Sequence, residues 1–235
     1  MKILGIDTSG YVNAVGVCEN GRVLAEGRYP AKTDSLEQIV DNIETTLNHA
    51  GLSLADIDGF GVGLGPGSWT GIRVGVTVGK TLAFSTGKPA CGISTLDALG
   101  FVGRDHGYLV AAVISVGAGD AVYAGFYHAE NGAIGRLGDY YTGSVEGLAA
   151  FINRPTVVIA HGARDYAGRL SGHTTHEVVA VEARPYGSAM ACLASARLER
   201  GEQDDVLSLS PMYLKESTAK AYINKYAPKP EEENS

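Results

Sequence analysis

Hydrophobic positions along this chain fall into short apolar runs and one-sided stripes, set in a repeating order. Lys2–Asp7 is an apolar run that ends on an acid, and it reads as a buried strand. Val12–Cys18 and Arg22–Tyr29 read as two more strands, joined by Glu19-Asn20-Gly21. Asn-Gly tolerates the positive φ that a tight hairpin turn requires. Leu36, Ile39, Val40, Ile43 and Leu47 then recur at helical spacing. Asp34 is the expected N-cap of that helix, Glu37 occupies the capping-box position and Gly51 stops it. Gly59–Leu64 reads as a buried strand, Thr70–Thr86 as a helix and Lys88–Ile93 as a strand, with a helix from Thr95 onward.

About a hundred residues later the same order begins again, the mark of an internal repeat. Tyr108–Ser115 and Ala121–Ala129 are extended, Glu130-Asn131-Gly132 repeats the three turn residues, and Ala133–Tyr141 is a third strand. Ser144 caps a shorter helix through Ile152. Thr156–Ala160 is a strand, Ala163–Leu170 a weak helix, Val178–Val181 a strand and Gly187–Arg200 a helix of small apolar residues. Each half therefore reads β-β-β-α-β-α-β-α, which predicts an α/β fold with mixed sheets covered on both faces. Each half resembles ribonuclease H, and two such halves in tandem resemble the actin, hexokinase and Hsp70 (ASKHA) superfamily. The halves are expected at residues 1–104 and 105–215, followed by a tail, 216–235, whose proline-broken polar end from Pro228 reads as disordered.

Composition narrows the functional classes. A hydrophobic fraction of 45% over 235 residues supports a real core in each half, and 32 glycines suit tight turns and close packing. Cys18, Cys91 and Cys192 are odd in number, far apart and set among apolar residues. They read as buried reduced thiols of a cytoplasmic protein. The chain has no apolar run of about 18 residues, and Asp7 comes too early for a signal peptide, so no membrane partner is expected. The net charge is −7 and no basic cluster is present, so any RNA contact needs a partner to supply positive charge.

Several segments invite a chemical reading. Gly79-Lys80-Thr81 resembles the end of a phosphate-binding P-loop, but the glycine that motif requires falls at Val74, and the tripeptide lies inside a predicted helix. Gly65-Pro66-Gly67-Ser68-Trp69-Thr70-Gly71 does join a strand to a helix N-terminus, where free N–H groups attract anions. Its simpler reading is a tight structural turn with Thr70 as N-cap, stiffened by Pro66. Asp7-Thr8-Ser9 occupies the turn that carries a metal–phosphate aspartate in ATPases of the actin superfamily; equally, Asp7 can bond the N–H groups of its own turn. Ser115–Asp120 is the mirror turn of the second half. His173 and His176 have ligand-like spacing without an evident third ligand. Ser68 is not in a nucleophile elbow, since position 66 is proline. Gly71, Gly75, Gly79 and Ala83 recur every four residues and form one smooth helical stripe. Each glycine weakens a helix by roughly 1 kcal/mol relative to alanine, so close packing has to compensate. That packing is either against the helix's own sheet or against a partner helix.

Four segments carry a resemblance over nearly the whole chain: Ile3–Ser9, Gly65–Gly75, Gly92–Asp97 and Pro211–Leu214. They resemble the TsaB family, also called YeaZ, of the bacterial machinery that makes threonylcarbamoyladenosine in transfer RNA. The resemblance implies a non-catalytic scaffold with no catalytic residue, metal or cofactor of its own. Its implied partners are TsaD, the paralogue that transfers threonylcarbamoyl to the adenosine beside the anticodon, and the ATPase TsaE. ATP or ADP and a metal would belong to the partner complex, tRNA would be reached only through it, and the isolated chain would be a homodimer. The paired histidine ligands of the catalytic paralogue become Thr95 and Leu99, which cannot replace imidazole. An Asp-Ala-Arg element common in the family is missing from Ile114–Asp120. The family pairs through its first two helices, which implies an interface of Leu36, Ile39, Val40, Ile43, Gly71, Gly75, Gly79 and Ala83. Two rival functions are a nucleotide-dependent small-molecule kinase and a glycoprotease-like peptidase; no base accompanies Asp7, and no nucleophile or metal set is visible.

Overall fold

The computed structural model describes residues 1–31, 35–116, 120–130, 132–184 and 186–214, with backbone alone for 35–37. The expected cap Asp34, the side chains of Leu36 and Glu37, the turn residue Asn131, positions 117–119 and the tail from 215 lie outside the described residues.

Two sheets of like topology carry the fold. In the first, β1 (Lys2–Asp7), β2 (Val12–Glu19) and β3 (Arg22–Pro30) form an antiparallel meander, and β4 (Gly59–Gly63) and β5 (Ala90–Ile93) extend it in parallel, in the order β3-β2-β1-β4-β5. The second contains β6 (Leu109–Ser115), β7 (Ala121–Glu130), β8 (Ala133–Arg136), β9 (Tyr141–Ser144), β10 (Thr156–Ala160) and β11 (Val178–Glu182). Its order is β11-β10-β6-β7-β8, with β9 also on β7. The single strand expected over Ala133–Tyr141 is thus two, interrupted at Leu137–Tyr140 where Gly138 has φ 73°. The helix expected after Ser144 is a 3-10 turn, Glu146–Phe151, although Ser144 Oγ does accept from Gly147 N–H at 3.2 Å.

Helices α1 (Ser35–His49) and α2 (Trp69–Thr86) cover one face of the first sheet, and α4 (Ala163–Ser171) covers one face of the second. Between the sheets lie α3 (Thr95–Val102) and α5 (Gly187–Glu199). Helix α3 follows the first sheet in the chain yet packs on β6, β7, β8 and β10; α5 follows the second sheet yet packs on β1, β2, β4 and β5. Each half therefore lends its last helix to the other. Helix α5 comes down to the backbone of the first sheet: a Cβ on Gly5 would run into the Gly187 carbonyl, and one on Gly61 would sit 2.5 Å from the Met190 oxygen. Glu26 on β3 completes the seat, its carboxylate accepting from Gly187 N–H at 3.1 Å and Ser188 N–H at 2.8 Å.

The packing corrects the expected partner face. Gly71, Gly75, Gly79 and Ala83 do form one stripe, but it is turned inward. A Cβ on Gly71 would strike the Thr8 carbonyl, one on Gly75 the Thr8 hydroxyl, and one on Gly79 the side chain of Val62 at 2.5 Å; Ala83 is fully buried. Spacing alone could not choose between sheet and partner, and the sheet occupies the stripe. Ile39 and Ile43 likewise sit in the core with Val15, Val17, Phe60 and Val62, whereas Val40 is 59% exposed. The N-cap of α2 is Ser68 rather than Thr70: Ser68 Oγ accepts from Gly71 N–H at 3.3 Å. Gly75→Leu should consequently destabilise the monomer itself, by about 1–3 kcal/mol through overpacking against Thr8. Urea unfolding of the purified variant reads this directly, and an unchanged midpoint would contradict the inward assignment.

Candidate functional site

A cleft of about 800 Å³ opens between the two sheets at the end of β1. Thr8, Ser9 and Asn13 line it from the first half, Thr95 and Leu99 from α3, and Val113, Tyr123 and His161 from the second half. Its floor is the place where three segments predicted to matter are knitted together. Ser68 N–H donates to the Ser9 carbonyl at 2.6 Å, Thr8 Oγ1 donates to the Gly71 carbonyl at 2.6 Å, and Thr95 N–H donates to the Gly65 carbonyl at 2.8 Å. The turn Gly65-Pro66-Gly67 is thus clamped to the first turn and to the start of α3. Gly65 carries φ 91°, a left-handed backbone that glycine accepts without strain, and the Gly65–Pro66 peptide is cis. Two N–H groups that an anion would have sought, those of Ser68 and Gly71, already have partners within the protein.

Asp7 lies beneath this floor and is 1% exposed. Its Oδ1 accepts from Ser9 N–H at 2.7 Å and its Oδ2 from Thr95 Oγ1 at 2.8 Å, and Thr95 Oγ1 is also 3.1 Å from Ser9 Oγ. Burial pushes the carboxyl above the usual aspartate range, while the hydrogen bonds from Ser9 and Thr95 pull the other way. Thr8 and Ser9 reach the cleft; Asp7 spends its oxygens on the turn. The geometry favours the turn-bonding reading of Asp7 over the nucleotide-facing one. Asn13 lies in the same wall, and its Nδ2 is buried without a hydrogen-bond partner.

Other polar clusters gave no sign in the sequence. Asp97 on α3 accepts from both Tyr127 and Tyr140 hydroxyls at 2.9 Å, which fastens α3 to the second sheet. Burial first, and then the Asp97 charge, push the Tyr140 hydroxyl up to about 12 and that of Tyr127 further. These partners are 30 and 43 residues from Asp97, so no local pattern announces them. Glu182 accepts from Gly162 and Ala163 N–H groups and from His161, capping α4, and the backbone bonds hold its carboxyl below the usual range. Lys80 of the false P-loop donates to the Leu207 and Leu209 carbonyls at 2.7 and 2.9 Å. Among the described residues no group of three or more His, Cys, Asp or Glu side chains is placed to hold a metal, and His173 and His176 gain no third ligand. Nor is any described helix long and apolar enough to cross a membrane.

The family model TsaD, described as tRNA N6-adenosine threonylcarbamoyltransferase, matches residues 29–209. The tRNA threonylcarbamoyladenosine biosynthesis protein TsaB of Bacillus subtilis is 34% identical over 134 residues, 57% of this chain and 58% of that protein. Its Escherichia coli namesake is 31% identical over 134 residues, again 58% of that protein. YeaZ from Pseudomonas aeruginosa superposes with a TM-score of 0.77 at 25% identity, covering 91% of this chain and 99% of that one. The chain belongs to this family, as one of its TsaB/YeaZ members. The matched stretch spans a little over half the length of the two TsaB relatives. A ROK hexokinase from Thermus thermophilus shares the fold at a TM-score of 0.54 and 14% identity, which places this TsaB/YeaZ chain among ASKHA folds and says no more.

In this TsaB/YeaZ member the cleft floor is a structural joint, and its stability should respond to Asp7 in a defined way. A carboxyl whose folded pKa is raised makes the folded state hold its proton more tightly than the unfolded chain does. Its contribution is full below the unfolded value, near 3.8, and is lost as pH rises through the folded pKa. Asp7→Asn keeps an acceptor for Ser9 N–H and removes the buried charge, so at neutral pH it should equal or exceed the wild type in stability, and that advantage should vanish below pH 3.8. Asp7→Ala leaves Ser9 N–H without its acceptor and should cost about 1–3 kcal/mol. Urea unfolding of the three proteins at both pH values tests the pair; an Asn variant as unstable as the Ala variant at neutral pH would refute it.

Proposed function

We propose that the chain is the non-catalytic scaffold of a transferase complex that places threonylcarbamoyl on the adenosine beside the anticodon of tRNA. It acts with a TsaD-type catalytic paralogue and a TsaE-type ATPase, in the cytoplasm. The observation that carries this reading is the content of the cleft floor. Thr95 and Leu99 stand where the family resemblance puts the catalytic paralogue's metal ligands, and Thr95 spends its hydroxyl on Asp7 and Ser9. A hydroxyl so engaged and a leucine side chain offer a metal nothing. The TsaB relatives, named for tRNA threonylcarbamoyladenosine biosynthesis, support the pathway. A net charge of −7 supports tRNA binding through the complex rather than by this chain alone. ATP or ADP and a metal then enter at the partner boundary.

With the glycine stripe buried, pairing, either as a homodimer or with the catalytic subunit, falls to the outward faces of α1 and α2. Those faces expose Val40 and Phe84, which are 59% and 71% accessible. Co-expression with the TsaD-type and TsaE-type proteins of the same organism, followed by assay of modified adenosine, tests the whole reading. Omission of this chain should abolish the modification. Val40→Asp with Phe84→Asp should weaken co-purification at least about tenfold and leave the melting temperature unchanged, since neither side chain is in the core. ATP turnover or peptide cleavage by the isolated chain would overturn the scaffold reading, as would full modification without it.

A further inference from the structure

The two halves meet at a pair of thiols that the cleft does not use. Cys18 lies on β2 and is fully buried; Cys192 lies on α5 and is half-buried. They are 174 residues apart in the chain, yet their sulfurs are 2.8 Å apart, with the Cys192 S–H directed at Cys18 Sγ. A covalent S–S bond is about 2.05 Å long, so bond formation needs less than about an ångström of approach. Nothing loose holds the pair. β2 is an inner strand between β1 and β3, and α5 is seated on this sheet by Glu26 of β3 and by the glycine contacts two turns or less before Cys192. Cys91, the third cysteine, sits elsewhere, its sulfur 3.4 Å from the Glu202 carbonyl.

We propose that Cys18 and Cys192 form a reversible disulfide that staples α5 to the first sheet, with a small-molecule disulfide such as oxidised glutathione as the oxidant. Cys192 is the thiol that reaches the surface, and it meets the oxidant first. Cys192 gives up its proton to solvent as it attacks one sulfur of the small disulfide, the oxidant's S–S bond breaks, and one small thiol leaves, protonated from solvent. Cys18 then gives up its proton and attacks the Cys192 sulfur of the mixed disulfide, expelling the second small thiol. The protein sulfurs lose two electrons, the oxidant gains them, and the two thiol protons end on the two released molecules. The hydrogen bond from Cys192 lowers the Cys18 thiol, which suits it to this resolving step, and raises Cys192, which makes the first attack slow. Because the two thiols are held in place, the second step is intramolecular and strongly favoured over a lasting mixed disulfide.

The full chain is exposed to buffers of rising oxidised-to-reduced glutathione ratio, quenched in acid, alkylated and mapped by mass spectrometry. The expected product is a Cys18–Cys192 cross-linked peptide lighter by two hydrogens, with Cys91 still alkylated on unfolding and the bridge removed by dithiothreitol. Closing so long a loop should raise the melting temperature by about 5–10 °C in the wild type. Cys192→Ser and Cys18→Ala should each abolish the bridge and the shift; if one variant does not fold, the other carries the control. Two free thiols at every ratio, a stable glutathione adduct on Cys192 beside a free Cys18, or a bridge without any thermal shift would overturn the proposal.

Discussion

Helix α5 touches the first sheet backbone to backbone, and the arrangement of both halves depends on that approach. A helix held off by ordinary side chains would stand farther from the sheet and leave β1 and β4 facing a gap. Gly5, Gly16 and Gly61 remove the obstruction on the strands, and Gly187 removes it on the helix. Met190 and Ala194 fill the space beside them, fully buried. The same contact recruits Glu26, whose carboxylate meets the N–H groups of the first turn of α5 that have no partner within the helix. A helix N-terminus favours such a charge, although burial here raises the acid above its ordinary range. The seat is therefore made by shape first and by electrostatics second.

From that seat the cleft follows. Helix α5 leaves the second sheet and crosses to the first, while α3 makes the opposite journey and is anchored by Asp97 to two tyrosines. Helix α3 lines the opening that remains between the two sheets, and that opening is the cleft. Its floor is built from main-chain and hydroxyl groups that satisfy one another, so the segment most suggestive of phosphate chemistry is used to hold β1, α2 and α3 in register. Asp7 is the deepest member of that joint. Its burial makes it a better acceptor for Ser9 and Thr95 than a ligand for a solvated ion.

Much of this was legible in the sequence, and the reason differs by element. β1 was read to the residue because a run of Ile, Leu and Ile between a lysine and an acid has few other uses. The end of α1 was marked by Gly51, whose φ is 67°. The repeat of the two halves was visible because both meanders use the same turn. What escaped was non-local. A stripe of glycines announces close approach and cannot name the neighbour; only the packing shows that Thr8 and Val62 fill it. Leu137–Tyr140 broke a strand that its apolar flanks made continuous. Ser68 displaced Thr70 as the cap because the clamp from Ser9 sets where α2 begins. Asp97, Glu26 and the cysteine pair each join residues far apart in the chain, beyond the reach of any periodicity.

The chain has one tryptophan, and its position has a spectroscopic consequence. Trp69 opens α2, is 40% exposed, stacks on Tyr213 with ring centroids 4.1 Å apart, and carries the Arg73 guanidinium over its ring, 4.4 Å from the centroid. Arg73 Nε also donates to the Tyr213 hydroxyl at 3.0 Å, and Met212 N–H donates to the Leu64 carbonyl at 2.8 Å. The indole thus senses whether the segment around Tyr213 is docked along the end of β4. The tryptophan emission of this molecule is therefore a local gauge of that docking, because lifting the segment removes the Tyr213 ring stacked on the indole. Fluorescence and circular dichroism recorded on one unfolding transition therefore report different parts of the chain: the first the loosening of the segment around Tyr213, the second the loss of the sheets beneath.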